Sequence, residues 1–238
     1  MSSKAFNLIL RNRIKSFDRI INVDSDKSMS IRSFLLSSIS QNISFVSNIL
    51  ESEDVKSAIN CLKKLGVKII KKKSKSYIIF GKGLGSLTIR KNQVLDFGNS
   101  GTLARLLIGI LSTTPNIDVK ITGDHSLKKR SMKNLIELMS DFGAIFLPKK
   151  KFRLPLRIIS SEIPIGIKYE AGVSAQLKSA VMLAGLNSFG TTEVIEDKPS
   201  RDHTENMLIK NSQAIKIKKG RKKLIKIYGK KYLNPISI

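Results

Sequence analysis

Apolar residues recur at helical spacing in three segments of the chain, and each segment opens with polar residues that favour a helix start. In the segment that begins at Ser52, four apolar residues share one helix face: Val55, Ile59, Leu62 and Leu65. The segment that begins at Gly123 has related spacing at Met132, Leu135, Ile136 and Met139. A third segment follows the same pattern from Pro199. The hydrophobic pattern therefore predicts three related helices.

A turn position and then a β-branched run follow each of these predicted helices. Gly66 and Gly143 stand where a helix C-terminus favours the left-handed conformation, and Ser212 takes this position in the third segment. The three positions are about 70 residues apart, which is too long for a solenoid repeat and long enough for a βαβ-type subdomain. We therefore expect three repeated units packed into a single α/β domain, with helices inside and sheets outside.

Short stretches of alternating or β-branched residues between these helices predict strands. They cover residues 76–80, 85–89, 118–122 and 191–195. Residues 214–228 alternate isoleucine with lysine around Lys219-Gly220-Arg221, which predicts a hairpin with one solvated face.

The composition is that of a globular protein with a sizeable core, because hydrophobic residues make up 41% of the 238 and charged residues 26%. No apolar run reaches membrane-spanning length, and the N-terminus lacks the apolar core of a secretory signal. We therefore expect a cytoplasmic protein that contacts no membrane. Cys61 is the single cysteine and is expected to be a buried, inert thiol. His125 and His203 are isolated, so no metal site is expected.

The net charge of +25 raises nucleic acid as a partner. The excess is mostly lysine spread along the chain, aromatic residues are only 6%, and tryptophan is absent. Few side chains are therefore available to stack on bases. A basic nucleic-acid-binding module stays as a rival interpretation, with the lysines of residues 216–231 as its contact surface.

The stretch from Leu95 to Leu111 carries the strongest chemical signal, because a turn with Gly98 and Gly101 opens directly onto an apolar helix. Free backbone amides and the positive end of the helix dipole suit an anion there, although the same residues would also make a plain helix cap. Arg105 lies one turn inside this apolar helix. An unpaired charge is costly there, so Arg105 must meet a carboxylate or face a site.

Four further stretches are candidates, and three of the five elements together open a helix with a hydroxyl or amide plus a cation. The four stretches are residues 26–32, in which Ser28 and Arg32 share a helix face, and residues 126–130, 171–180 and 199–205. Converging Arg, Lys and N–H donors hold small ligands with several phosphate or carboxylate groups. The alternative is that these are exposed helix caps. Residues 81–85 are rich in glycine but lead into no helix, so a dinucleotide site is not expected.

Five sequence blocks together resemble the 3-phosphoshikimate 1-carboxyvinyltransferase (enolpyruvylshikimate-phosphate synthase) family. In order they are Asp-Lys-Ser-Met-Ser-Ile-Arg (26–32), Leu-Asp-Phe-Gly-Asn-Ser-Gly-Thr-Leu-Ala-Arg (95–105), Gly-Asp-His-Ser-Leu-Lys-Lys-Arg (123–130), Ser-Ala-Gln-Leu-Lys-Ser-Ala (174–180) and Pro-Ser-Arg-Asp-His-Thr-Glu (199–205). The fourth and fifth are similar to the branch called class II. The resemblance implies the enolpyruvate transferase fold, an inside-out α/β barrel-type domain built from three βαβ-type repeats.

The resemblance also implies a reaction. The family transfers a carboxyvinyl group from phosphoenolpyruvate to the 5-hydroxyl of shikimate 3-phosphate and releases phosphate, without a metal or cofactor, in chorismate and aromatic amino acid biosynthesis. By resemblance, shikimate 3-phosphate would be held by Lys27, Ser28, Arg32, Ser174, Gln176 and Arg201. Phosphoenolpyruvate would be held by Lys27, Gly101, Arg105, Arg130 and Gln176. Lys27 would also be catalytic, by helping to protonate phosphoenolpyruvate.

Length is the departure from the family pattern, because members are about twice as long and place the active site in a cleft between two domains. Residues 1–25 would be a piece of the first domain, and residues 26–238 the complete middle domain. We therefore expect a truncated or split synthase that needs another chain for the other wall of the cleft. UDP-N-acetylglucosamine enolpyruvyl transferases share the fold and stay as a second alternative, although Cys61 lies outside the position of their reactive cysteine.

Overall fold

The computed structural model describes Ile9, Arg11, Ser16, Asp18 and residues 20–238. Its helices are α1 (Lys27–Ile39), α2 (Glu53–Lys64), α3 (Gly101–Thr113), α4 (His125–Lys129), α5 (Lys133–Asp141), α6 (Ala175–Leu186) and α7 (His203–Asn211). Its strands are β1 (Ile43–Val46), β2 (Lys68–Lys73), β3 (Ser76–Phe80), β4 (Val94–Asp96), β5 (Asp118–Thr122), β6 (Ile145–Leu147), β7 (Leu156–Ile159), β8 (Lys168–Ala171), β9 (Thr191–Glu196), β10 (Ile215–Lys218) and β11 (Lys223–Tyr228). Within this part of the chain, no helix is long and apolar enough to cross a membrane. Most of the predicted first-domain piece, residues 1–25, lies outside the described residues.

The strands form three sheets with the orders β1-β3-β2, β4-β5-β7-β6 and β8-β9-β11-β10. In the second and third sheets, one parallel pair is joined through a central helix, as β4-α3-β5 and β8-α6-β9. The remaining pairs in these two sheets are antiparallel. The predicted βαβ-type repeat is thus confirmed in two units, and none of the three sheets closes into a barrel over the described strands.

The first unit obtains its parallel edge from the far end of the sequence. The amide of Phe45 donates a hydrogen bond to the carbonyl of Ile236 at 2.8 Å, and the amide of Ile238 donates to the carbonyl of Phe45 at 3.1 Å. Residues 236–238 therefore lie parallel to β1, in the position that β4 and β8 occupy in the other two sheets. This pairing ties residues 233–238 to the start of the domain.

Helices α1, α3 and α6 fill the centre of the domain and are buried on almost every side. The expectation of helices inside and sheets outside is confirmed. Helices α3 and α6 approach so closely that a Cβ atom added at Gly109 would lie 2.6 Å from the carbonyl oxygen of Ala180. Only glycine permits this approach.

The three central helices run parallel. Gln176 near the start of α6 bonds to Thr102 near the start of α3, and Asn187 at the end of α6 bonds to Thr113 at the end of α3. Helix α1 contacts α6 near the start of both, through Arg32. All three N-termini therefore lie at one end of the domain.

Local structure confirms most of the helix and strand predictions. Gly66 and Gly143 end their helices with φ of +82° and +95°, in the left-handed region. Ser212 also ends its helix, but in an extended conformation with φ of −159°. The hairpin at 214–228 forms, with β10 antiparallel to β11.

Two predictions are wrong. Residues 85–89 form no strand, because the amide of Thr88 donates to the carbonyl of Leu65 at the end of α2 and the segment packs there instead of on a sheet edge. The segment from Gly123 holds two helices, because the backbone is extended at Arg130 and the amide of Met132 donates to the carbonyl of Phe152. Arg130 therefore ends α4 and is not part of a helix start.

Candidate functional site

The N-termini of α1, α3 and α6 are capped by side chains at the same end of the domain. Asp26, Ser100 and Ser174 each accept a hydrogen bond from the backbone amide three residues later, at 2.7, 3.2 and 3.3 Å. The positive ends of three helix dipoles therefore point to one region, which favours an anion there.

Arg32 occupies the wall of this region between α1, α6 and α7. Its Nε donates to the hydroxyl of Thr204 at 2.8 Å, its Nη1 to the carbonyl of Ser28 at 3.1 Å and its Nη2 to the hydroxyl of Ser179 at 3.3 Å. The hydroxyl of Thr204 in turn donates to that of Ser179 at 2.9 Å. These bonds fix the orientation of the guanidinium, and Arg32 as a whole is only 4% exposed.

None of these partners neutralises the charge of Arg32, and no ion pair of the described residues includes it. Burial lowers the pKa of Arg32, the charges of Asp26 and Glu205 raise it, and nearby Arg201 lowers it further. Because three of the five N–H groups of the guanidinium are used, two donors and a net positive charge remain for a ligand. A buried arginine without a carboxylate partner is costly and is typical of an anion site.

A second pair of arginines lies at the start of α3. Arg105 donates from Nη1 to the carbonyl of Gly101 at 3.1 Å, and Arg130 donates from Nη2 to the side-chain oxygen of Asn99 at 2.9 Å. A Cβ atom added at Gly101 would lie 2.9 Å from one guanidinium and 3.0 Å from the other. Burial and then the charge of Arg130 lower the pKa of Arg105. Two like charges held together in this way favour an anion between them.

Helix α6 lies between the two arginine clusters. The side-chain amide of Gln176 donates to the hydroxyl of Thr102 on α3 at 3.1 Å. Arg105 and Ser174 line the same small cavity, of about 250 Å³. Since Ser179 on the same helix bonds to Arg32, the first turns of α6 connect the two clusters.

Lys27 lies at the first position of α1 and forms an ion pair with Asp54 on α2, with 3.0 Å between Nζ and Oδ2. The lysine side chain is 48% exposed, so its ammonium group reaches the surface of the region. Asp54 was not predicted, because no sequence signal connects residues this far apart on different helices.

Comparison with known proteins agrees with this geometry. A sequence model of EPSP synthase (3-phosphoshikimate 1-carboxyvinyltransferase) matches residues 12–238. The chain belongs to the EPSP synthase family. The family match favours neither the UDP-N-acetylglucosamine enolpyruvyl transferases nor a nucleic-acid-binding module.

Relatives and solved EPSP synthase structures align with part of their own length. The chain is 44% identical to the 3-phosphoshikimate 1-carboxyvinyltransferase of Paramagnetospirillum magneticum, over 78% of this chain and 42% of the relative. It is 39% identical to that of Zymomonas mobilis, over 90% of this chain and 48% of the relative. A solved EPSP synthase from Acinetobacter baumannii superposes with a TM-score of 0.83 at 35% identity, over 92% of this chain and 48% of that chain. The chain thus spans about half the length of the relatives that it matches.

The structure brings most of the predicted site residues to the end of the domain where the three helices begin. Arg201 is the exception, because its exposed side chain has no hydrogen-bond or ion-pair partner among the described residues, although its charge acts on Arg32. Sequence reasoning missed Asn99, Ser179 and Thr204 as partners of the arginines. All three lie inside the family blocks, so their position close to predicted residues in the sequence was the available signal.

Cys61 is not part of this site. Its thiol is buried and lies 3.3 Å from the carbonyl oxygen of Asp96, and burial raises its pKa to about 12. The described residues hold no cluster of His, Cys, Asp and Glu side chains that could bind a metal ion.

Proposed function

We propose that this chain forms one wall of an active site that transfers a carboxyvinyl group from phosphoenolpyruvate to the 5-hydroxyl of shikimate 3-phosphate. One observation carries the proposal: two arginine clusters, neither with a carboxylate partner among the described residues, lie on either side of the start of α6. Both substrates of this reaction carry a phosphate and a carboxylate. Two adjacent anion sites match two such ligands better than one long polyanion.

Shikimate 3-phosphate is assigned to the Arg32 side of the region. The residues proposed to bind it are Lys27, Ser28, Arg32, Ser174, Gln176 and Arg201. Phosphoenolpyruvate is assigned to the start of α3. The residues proposed to bind it are Lys27, Gly101, Arg105, Arg130 and Gln176. Lys27 and Gln176 contact both ligands in this arrangement.

In the proposed reaction, the 5-hydroxyl oxygen of shikimate 3-phosphate bonds to C2 of phosphoenolpyruvate while C3 accepts a proton. Lys27 is the proposed donor of that proton, and its pairing with Asp54 keeps the ammonium group in place. The tetrahedral intermediate then loses phosphate from C2 and a proton from C3. Arg105 and Arg130 stabilise the negative charge on the departing phosphate.

The second wall and the base that accepts the 5-hydroxyl proton have no candidate among the described residues. We propose that they come from sequence outside residues 1–238, on the same polypeptide or on a separate one. In this division, residues 26–238 are one complete domain and residues 1–25 belong to the other.

Phosphate release tests the proposal. The chain is mixed with both substrates, alone and together with the separately produced second half of the Zymomonas mobilis relative. We expect no release from the chain alone and measurable release from the mixture, because one wall cannot exclude water or place an acid against a base. Turnover by the chain alone would contradict the one-wall arrangement. A folded chain that binds neither substrate would contradict the proposed function itself.

A further inference from the structure

A buried network of charges lies directly behind Arg32. The ammonium group of Lys178 is 2.8 Å from Oε1 of Glu196 and 2.6 Å from Oε1 of Glu205. All three side chains are at most 2% exposed. Replacing such a buried network by apolar residues is often neutral or stabilising, so stability alone does not explain it. One oxygen of Glu205 has no hydrogen-bond partner among the residues that the structure describes, which also argues against a purely stabilising role.

Glu196, on one side of the network, holds the loop between β9 and α7. Oε1 of Glu196 accepts hydrogen bonds from both the backbone amide and the hydroxyl of Ser200, at 2.8 and 2.7 Å. Ser200 immediately precedes Arg201, the one predicted site residue without a partner among the described residues. The position of this arginine's backbone is therefore set by a carboxylate inside the domain.

The other side of the network, Lys178 and Glu205, is adjacent in sequence to two residues that bond to Arg32. Lys178 precedes Ser179, and Glu205 follows Thr204, and these two hydroxyls accept hydrogen bonds from the Arg32 guanidinium. The ion pair of Lys178 with Glu205 thus joins α6 to α7 next to the residues of both helices that contact Arg32. Displacement of either helix would change the direction of the guanidinium.

The charges of the network also balance without Arg32. Lys223 lies 3.4 Å from carboxylate oxygens of both Glu196 and Glu205, so two lysines meet two carboxylates. Neither carboxylate is left to form an ion pair with Arg32. The guanidinium is held in place by neutral hydroxyls and keeps its charge for a ligand.

Resting on the proposed function, we infer that Glu196 is a positioning residue of the shikimate 3-phosphate site. It holds the loop that carries Arg201 through Ser200, and it holds the hydroxyl partners of Arg32 in place through Lys178. Glu196 does not contact the ligand in this arrangement. It sets the distance and relative orientation of Arg32 and Arg201, which bind the same phosphorylated acid in the proposed arrangement.

The test compares Glu196→Gln with Glu193→Gln by titration with shikimate 3-phosphate. Glu193 lies on the same strand and pairs with Lys226 at 2.6 Å on the outer face, so its variant removes an ion pair that has no connection to the site. We expect at least about tenfold weaker binding in Glu196→Gln, as is usual when a group that orients binding residues is lost, and unchanged binding in Glu193→Gln. Hydrogen exchange at the Ser200 amide should accelerate in Glu196→Gln, because a neutral amide oxygen is a weaker acceptor than a carboxylate, and should stay unchanged in Glu193→Gln.

A milder variant separates positioning from folding. Ser200→Ala removes one of the two bonds to Glu196 at a partly exposed site, and we expect weaker binding with an unchanged melting temperature. Equal affinity of Glu196→Gln and the unsubstituted chain would overturn the inference. If Glu196→Gln binds weakly only because it is unfolded, Ser200→Ala decides, and full binding by Ser200→Ala would also overturn the inference. If the unsubstituted, folded chain does not bind shikimate 3-phosphate, the proposed function fails and this role fails with it.

Discussion

Replacement of Arg32 by methionine is expected to remove binding of shikimate 3-phosphate without loss of stability. Methionine has a similar length and no charge, so it keeps much of the packing in the wall of the site. Arg32 is 4% exposed, and its guanidinium forms no ion pair with a carboxylate of the described residues. The substitution therefore separates what the arginine contributes to the ligand from what it contributes to the fold.

The loss in binding follows from the unused donors of Arg32. Two of its five N–H groups are free for the ligand, and a hydrogen bond to a charged group contributes about 1.5–3 kcal/mol. Loss of both bonds weakens binding by roughly 3–6 kcal/mol, which corresponds to about 10² to 10⁴-fold in Kd. The hydroxyl groups of Thr204 and Ser179 bond to each other at 2.9 Å, and we expect this bond to remain after the substitution. Because a buried charge without a carboxylate is removed, the free energy of unfolding should stay within about 1 kcal/mol of its original value or rise.

Isothermal titration and thermal melting measure these two effects on the same samples. Arg157→Met is the matched control, because Arg157 pairs with Asp118 on the exposed face of a sheet and its removal takes the same charge from the protein. The reasoning is refuted if Arg32→Met binds within about threefold of the unsubstituted chain, or if it unfolds about 3 kcal/mol more easily, since it would then be a structural arginine.

Further predictions concern four other positions. Gly101→Ala should weaken binding of phosphoenolpyruvate about tenfold and leave that of shikimate 3-phosphate unchanged in parallel titrations, because the added methyl group displaces both neighbouring guanidinium groups. Gly109→Ala should lower the free energy of unfolding by about 1–3 kcal/mol in urea, since its Cβ atom would overlap the facing helix. Cys61 should resist a thiol reagent at pH 8 until the protein unfolds, because burial raises its pKa to about 12. Burial opposes ionisation of Glu196, but its lysine and serine partners lower its pKa to about 2. The stability that this carboxylate contributes is present above pH 4.5 and lost as the pH falls towards 2, so melting temperatures should fall less over that range in Glu196→Gln.

The repeated units could be predicted from the sequence because helix spacing and C-terminal glycines are local signals. Gly66 and Gly143 mark equivalent helix ends at a distance that suits one subdomain, and both adopt the left-handed conformation. The strand predicted at residues 85–89 failed because Leu87 is buried in a loop whose Thr88 amide bonds to the end of α2, and local patterns do not distinguish such a loop from a strand. The edge formed by residues 236–238 beside β1 depends on a pairing across almost the whole chain, which local patterns do not encode.

The candidate site was predictable to the extent that its residues lie in recognisable blocks. Gly101, Arg105 and Arg130 lie together in the structure, with Arg130 at the end of a helix, and their roles stay a prediction. The pairing of Lys27 with Asp54 was not predictable, because it joins side chains on two helices whose packing only the fold defines. The same holds for Thr204 and Ser179, which bond to each other and to Arg32 from two different helices.

The most direct test of two adjacent anion sites is a proton–nitrogen spectrum of the arginine side chains during titration with shikimate 3-phosphate and then phosphoenolpyruvate. We predict that the Nε–H signal of Arg32 shifts and saturates with the first ligand, and that the signals of Arg105 and Arg130 respond only to the second. A folded chain in which Arg32 does not respond, or in which all arginines shift together in proportion to added salt, would contradict this account.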